Sequence, residues 1–327
     1  MIITKTPLRI TFTGGGSDIP SYFEKHGGHC INATINKYVY VLVKRRDDNK
    51  IYLKYSENEV VDVDNIDDIK HDFIRETLKY LEIDYGLEII NWADIPTKGS
   101  GLGSSGSFLV GLLHALHSLE GNDINKEMLA QQASYIEMVL CNKPIGYQDQ
   151  YAAAYGGMNK LTFKNTSDLT VENIDINYDS ISDNLLLFYT GVTRESSSVL
   201  TEQKENLKDN KNVIKNMKLN VELSEWLSEK LNTHQYDSIG YALKKNWELK
   251  KNFSSNIVNE KIEKIYNIGI SEGASGGKII GAGGGGYVLF YVNKSKQDRV
   301  INALSNYGFM RFNIDKYGSR VLLNLGE

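Results

Sequence analysis

The sequence predicts an α+β protein divided into two domains, and three observations carry that prediction. The chain has 327 residues, long for one hydrophobic core and comfortable for two. Its first half alternates strand-like and helix-like segments. Beyond residue 195 the pattern turns charged and helical before it closes in glycine-flanked strands. The seam is set at residue 183, giving domains of residues 1–183 and 184–327.

The elements follow in order. Pro7–Gly16 reads as a strand running into a glycine turn. Asp18–Lys25 reads as a short helix, capped by Ser17 or Asp18 and closed by Gly27 and Gly28. Ile31–Arg46 is rich in Ile, Val and Tyr and reads as a strand; Lys50–Tyr55 alternates as another. Asp68–Leu81 carries Ile69, Phe73, Leu78 and Leu81 at helical spacing. Leu87–Trp92 is a strand leading to a glycine–serine loop. Helical patterns run over Ser105–Leu119, Asn125–Cys141 and Gln148–Tyr155, and Leu185–Thr190 is strand-like. Helices are expected within Glu195–Gln235 and over Ser238–Lys251 and Asn259–Glu272. A second glycine motif with its strand, a helix near Lys296–Tyr307 and two strands around the Lys316–Ser319 turn complete the chain.

The composition narrows the function classes. Net charge is −4, so no general basic field attracts nucleic acid or an anionic membrane. The most apolar short run, Tyr38–Val43, is far too short to span a bilayer. No basic region followed by a long apolar stretch opens the sequence, and the two cysteines, Cys30 and Cys141, lie in no CxxC pair. The expectation is a cytoplasmic protein with buried thiols and a small-molecule partner. The sequence leaves the oligomeric state open.

From Gly99 to Ser107, nine consecutive positions are Gly, Ser or a single Leu, directly before an apolar helix. A helix start has backbone amides without intrahelical partners, and small residues let an anion approach them along a favourable dipole. Phosphate is the expected ligand; a plain turn needs only one or two glycines. Gly101-Leu-Gly103-Ser-Ser-Gly106 also matches GxGxxG, but Asp94–Lys98 separates it from the preceding strand, and no acidic residue closes a following strand. A dinucleotide-dependent oxidoreductase is therefore the second reading, and a non-catalytic nucleotide sensor a third.

Three motifs, in order, resemble the GHMP kinases, the small-molecule kinases related to galactokinase, homoserine kinase, mevalonate kinase and phosphomevalonate kinase. They are PLRITFTGGGSD (Pro7–Asp18), PTKGSGLGSSGS (Pro96–Ser107) and KIIGAGGGGYVLF (Lys278–Phe290). Within that family, Thr6–Gly28, Ile145–Asn159 and Tyr189–Leu200 resemble the bacterial heptose 7-phosphate kinases, with similar motifs in relatives acting on fucose. The resemblance implies an N-terminal domain like ribosomal protein S5, a C-terminal ferredoxin-like α+β domain and an active site between them. It implies ATP- and Mg²⁺-dependent phosphorylation of the anomeric hydroxyl of a heptose 7-phosphate, feeding surface-polysaccharide precursors.

The resemblance also implies roles. Gly99, Ser100, Gly101, Leu102, Gly103, Ser104, Ser105, Gly106 and Ser107 would cradle the nucleotide phosphates. Ser105 and Glu137 would hold Mg²⁺, although Ser105 alone also reads as a plain N-cap. Asp149 would be the catalytic base and Arg9 its charge-stabilising neighbour. Asp18, Gly15, Gly16, Gly283 and Gly284 would line the sugar site. Gly14–Gly16 lacks the side chains that galactokinases use there, which argues against galactose. Arg194, beside Ser196–Ser198 at an expected helix start, suits the sugar's own phosphate. Lys98 is a weaker cation candidate, and His114 and His117 read as packing or surface residues.

Overall fold

The computed structural model describes residues 1–96, 99–166, 168–193 and 196–326. Strand β1 (Ile2–Thr13) leads through a glycine turn to helix α1 (Pro20–His26) and the long strand β2 (Gly28–Arg45). The β2 strand is shared between neighbours. Its first part pairs with β6 (Met158–Asn165), its second with β5 (Leu87–Ala93), and both lie antiparallel to β1. Strands β3 (Lys50–Lys54), β4 (Asn58–Asp62) and β7 (Asp168–Asn173) extend the sheet, and β12 (Arg320–Asn324) returns to β1. Among the described residues, only β3 and β5 pair in parallel in this eight-stranded sheet.

Helix α3 (Ser104–Leu119) packs on β1 and β2, with α4 (Lys126–Tyr135) and α5 (Gln148–Tyr155) beside it. Gly111 makes the approach of α3 possible, since a Cβ there would meet Thr6 Oγ1 at 2.8 Å. Helix α2 (Asp72–Tyr80) follows a 3₁₀ turn, and α6 (Tyr178–Ser182) closes this part of the chain. The second sheet runs β11 (Gly308–Met310), β8 (Leu185–Tyr189), β10 (Tyr287–Tyr291), β9 (Gly276–Ile279), all antiparallel. Its helices are α7 (Ser196–Asp209), α8 (Lys211–Asn232), α9 (Ser238–Lys250), α10 (Glu260–Ser271) and α11 (Gln297–Ala303).

The chain changes sheets between α6 and β8, where the seam was set. The 184–327 segment nevertheless supplies one strand, β12, to the first sheet. The two closing strands are therefore not a hairpin around Lys316–Ser319: β11 belongs to the second sheet and β12 to the first, with the Ile35–Ile314 bridge on the crossing segment. Neither Ser17 nor Asp18 caps α1. Ile19 is at the N-cap, and Pro20 starts the helix with a fixed φ and no orphan N–H. The expected Asn125–Cys141 helix ends as α at Tyr135 and continues as a π turn over Ile136–Leu140.

The two glycine motifs meet backbone to backbone. A Cβ on Gly101 would sit 2.7 Å from Ile280 O, one on Gly281 would sit 2.5 Å from Gly101 Cα, and one on Gly286 would sit 2.4 Å from Ser100 O. All three residues have positive φ. Gly121 shares the left-handed φ of Gly101 but has open space around it. Gly121→Ala should therefore cost only the backbone strain, about 1–2 kcal/mol. Gly101→Ala adds a clash with main chain and should lower the melting temperature by at least twice as much in parallel thermal scans. Equal losses would contradict the close approach.

Candidate active site

Helix α5 opens with Gln148-Asp149-Gln150, and successive helix residues project about 100° apart. Each of the three reaches a different group. The Gln148 amide nitrogen donates to Asp18 Oδ1 at 3.2 Å, its backbone N–H donates to Asp18 Oδ2 at 3.2 Å, and its Oε1 accepts from Thr11 Oγ1 at 2.8 Å. Gln150 Nε2 donates to Glu137 Oε2 at 2.7 Å. Between them, Asp149 takes a fork from Arg9, with Nε to Oδ1 and Nη2 to Oδ2 both 2.7 Å. Such bidentate, charge-assisted pairs fix orientation as well as contributing energy.

Arg9 joins this acid to the first glycine loop. Its Nη1 donates to Gly101 O at 2.6 Å, and its backbone N–H donates to Leu102 O at 2.9 Å. The Arg9 side chain is only 6% exposed, whereas Asp149 is 22% exposed, so the carboxylate is the partner facing open space. Gly103, at left-handed φ, is the N-cap of α3 and offers no side-chain cap. A Cβ there would press on Arg9 Cγ at 3.0 Å.

One cavity collects these groups. Gly99, Ser100, Gly101, Gly103, Ser104 and Ser105 line one part. Gly15, Gly16, Asp18, Gln148, Asp149 and Arg9 line a second, and Lys250, Lys278, Ile280, Gly281, Ala282 and Gly283 a third. Four expected residues serve behind the wall instead. The Leu102 side chain is buried in the core, and Gly106 lets α3 approach α5, since a Cβ would meet Asp149 Cβ at 3.0 Å. Ser107 Oγ donates to Pro7 O at 2.8 Å, and Gly284 N donates to Ile257 O at 2.9 Å. Arg194 and Lys98 lie outside the described residues.

Asp18 is 2% exposed, and burial followed by the Asp149 charge raises its pKa. Its oxygens also receive the Gly16 N–H at 2.8 Å, which holds the glycine turn against the acid. From α8, Asn220 holds the same turn, accepting from Gly14 N at 3.0 Å. Glu137 sits on the π turn, buried behind Ser105, to which it is hydrogen-bonded; burial pushes its carboxyl up to about 7. The Gln150 Oε1 next to it is buried without a partner. A hydroxyl, a carboxylate and an orphaned amide oxygen suit a hard cation that keeps most of its ligands as water and phosphate. No group of three or more His, Cys, Asp or Glu side chains placed to hold a metal ion occurs among the described residues. His114 and His117 bond to Ser319 and Gln132, away from this cavity.

Sequence reasoning missed Gln148, Gln150, Lys250 and Lys278. Gln-Asp-Gln was noticed only for its aspartate. Lys278 opens the second glycine motif, three residues before its first glycine, Gly281. Lys250 lies in the run LKKNWELKK, which reads as a solvated face.

A glycine-lined helix N-terminus joined by an arginine fork to an acid is the arrangement of a small-molecule phosphotransferase. The chain belongs to the GHMP kinase family: residues 72–157 match the GHMP kinases N terminal domain and residues 227–309 the GHMP kinases C terminal domain. It is 30% identical over 316 residues to the D-glycero-alpha-D-manno-heptose 7-phosphate kinase of Campylobacter jejuni, covering 93% of each chain. It is 27% identical to the L-fucokinase/L-fucose-1-P guanylyltransferase of Bacteroides fragilis, spanning 90% of this chain and 35% of that one. The crystal structure of a D-glycero-D-manno-heptose 1-phosphate kinase from Bacteroides thetaiotaomicron superposes with a TM-score of 0.81 at 22% identity, covering 100% of both chains. The protein is thus a phosphotransferase with an alcohol acceptor, of a family that uses ATP as donor.

Glu137 allows a thermodynamic check on the metal-free protein in EDTA. A carboxyl whose folded pKa is raised binds more protons folded than unfolded, so its stability contribution is lost as pH rises toward 7. Glu137→Gln should leave stability nearly unchanged at pH 4.5 and raise it by roughly 2–3 kcal/mol at pH 8 in denaturant titrations. A variant destabilised equally at both pH values would contradict a buried carboxyl with hydrogen bonds but no ion-pair partner among the described residues.

Proposed function

We propose that the protein transfers the γ-phosphoryl group of ATP to the anomeric hydroxyl of a heptose 7-phosphate. The observation that carries the reading is the Arg9–Asp149 fork, which shares one cavity with the Gly99–Ser105 loop. The similarity to the Campylobacter enzyme supports the sugar. The sheet change near residue 183 supports a division into an N-terminal nucleotide-binding domain and a C-terminal domain.

In this reading the triphosphate lies along the loop backbone, where amides and the α3 dipole favour negative charge. The acceptor hydroxyl donates to Asp149 and is aimed at the γ-phosphorus. As the new O–P bond forms, the bond to the β,γ-bridging oxygen breaks and ADP leaves with its electron pair. Asp149 receives the hydroxyl proton, and Arg9 holds the carboxylate in line and spreads positive charge toward the loop. Asp18 accepts from sugar hydroxyls with its remaining lone pairs. Ser105 and Glu137 would hold Mg²⁺, which supplies positive charge to the β and γ phosphates. Arg194 is proposed for the sugar phosphate. The expected compartment is the cytoplasm, which supplies ATP and keeps thiols such as Cys30 and Cys141 reduced. No helix among the described residues is long and apolar enough to cross a membrane.

A panel of sugars with and without a terminal phosphate, read by coupled ADP release, tests the substrate. A heptose 7-phosphate should be turned over fastest; faster turnover of fucose would assign a fucose-type kinase instead. Asp149→Asn should lower kcat by about 10²–10⁴-fold with ATP affinity kept. An active Asp149→Asn enzyme would remove the base assignment, and no ADP release with any sugar would favour the sensor or oxidoreductase readings.

A further inference from the structure

Two lysines reach the cavity from the part of the chain that the phosphate loop does not occupy. Lys250, the last residue of α9, is 7% exposed, and Lys278, on β9, is 2% exposed, yet both line the cavity wall. Neither forms an ion pair with a carboxylate among the described residues. Lys250 Nζ donates to Gly281 O and, at 3.4 Å, to Ile279 O, and Lys278 Nζ donates to Phe12 O at 3.1 Å. An ammonium has three donors. These contacts leave one on Lys250 and two on Lys278 for a ligand.

Location narrows the ligand. Lys250 grips Gly281, which lies against Gly101, the residue whose carbonyl receives Arg9 Nη1. Lys278 grips Phe12, just ahead of the Gly14–Gly16 turn held by Asp18 and Asn220. One lysine stands at the nucleotide loop and the other toward the acceptor side, with Arg9 near both. The Arg9 charge is already engaged by Asp149; the lysines' is not.

We propose that Lys250 and Lys278 form a cation pair that binds the phosphoryl group in transit, Lys250 engaging the γ-phosphate of bound ATP and Lys278 the same group as it reaches the acceptor. This rests on the kinase reading above. Bonds and protons change as already described; the lysines supply charge and hydrogen bonds to the equatorial oxygens, whose shared negative charge is what such enzymes must stabilise. Burial, with Arg9 adding repulsion, lowers the Lys250 pKa to about 7 in the ligand-free protein, and an anion beside it would favour the charged form. Two buried amines without acidic partners lower stability, a cost that a bound anion would offset.

Lys250→Met and Lys278→Met keep most of the side-chain length and remove the charge. Both variants should melt at or above the wild-type temperature while kcat falls about 10²–10³-fold. Calorimetric titration with ADP and with AMP-PNP needs no acceptor and so separates this pair from the choice of sugar. ADP affinity should be kept in both variants, and the extra affinity gained from the third phosphate should be lost in Lys250→Met. A wild-type kcat in either variant, or an unchanged AMP-PNP-to-ADP affinity ratio in Lys250→Met, would overturn the assignment. So would a lowered melting temperature with parallel losses of ADP and AMP-PNP affinity, which would make the lysines structural. Should a methionine variant fail to fold, the arginine variant at that position takes its place: kcat near wild type supports a charge role, and a folded enzyme with kcat as low as that of Asp149→Asn overturns it.

Discussion

The site depends on two glycine loops lying backbone against backbone. Gly101 and Gly281 come within a distance that no Cβ allows, and Gly286 touches Ser100 O in the same way. The contact joins a loop that precedes α3 to one that precedes β10, so it brings together distant parts of the chain. It leaves bare backbone along the cavity wall, where the proposed reaction would bring an anion against main-chain amides. It also sets where Arg9, Lys250 and Asp149 stand, since Arg9 and Lys250 each bond to a carbonyl of the apposed glycines, and Arg9 orients Asp149. Geometry that elsewhere comes from side-chain packing is fixed here by its absence.

Charge is distributed around that contact in a graded way. Asp149 and Arg9 pair in a fork, so the acid is oriented before any ligand arrives. Asp18 and Glu137 are buried and their carboxyls are pushed up, while Lys250 and Lys278 are buried and pushed down. Unpaired buried charge is costly. A cavity carrying both kinds is complementary to a polyanion, its counter-cation and a polyol. The Gln148-Asp149-Gln150 turn organises the acidic half, with Gln148 on Asp18, Gln150 on Glu137 and Asp149 on Arg9.

Much of this was legible in the sequence. The glycine–serine loop could be read because eight small residues in nine positions before an apolar helix are rarely a plain turn, and Gln148–Tyr155 emerges as a helix over the expected span. Arg9 and Asp149, far apart in the chain, were joined through the family motifs and not through periodicity. The strands β4 and β7 escaped notice because they are short, polar and exposed. The capping residues of α1 were misassigned because Asp18 is drawn to Gly16 and Gln148, a tertiary demand that outweighs local capping. Lys250 was illegible because its burial depends on how α9 packs on β9, which no local pattern encodes.

A crystal structure with AMP-PNP and the sugar phosphate tests the central geometry most directly. The triphosphate should lie on the amides of residues 99–105, with its γ-phosphorus between the two glycine loops and the sugar's anomeric oxygen against Asp149. A nucleotide bound elsewhere, or one whose γ-phosphate points away from the Arg9–Asp149 fork in the ternary complex, would contradict it.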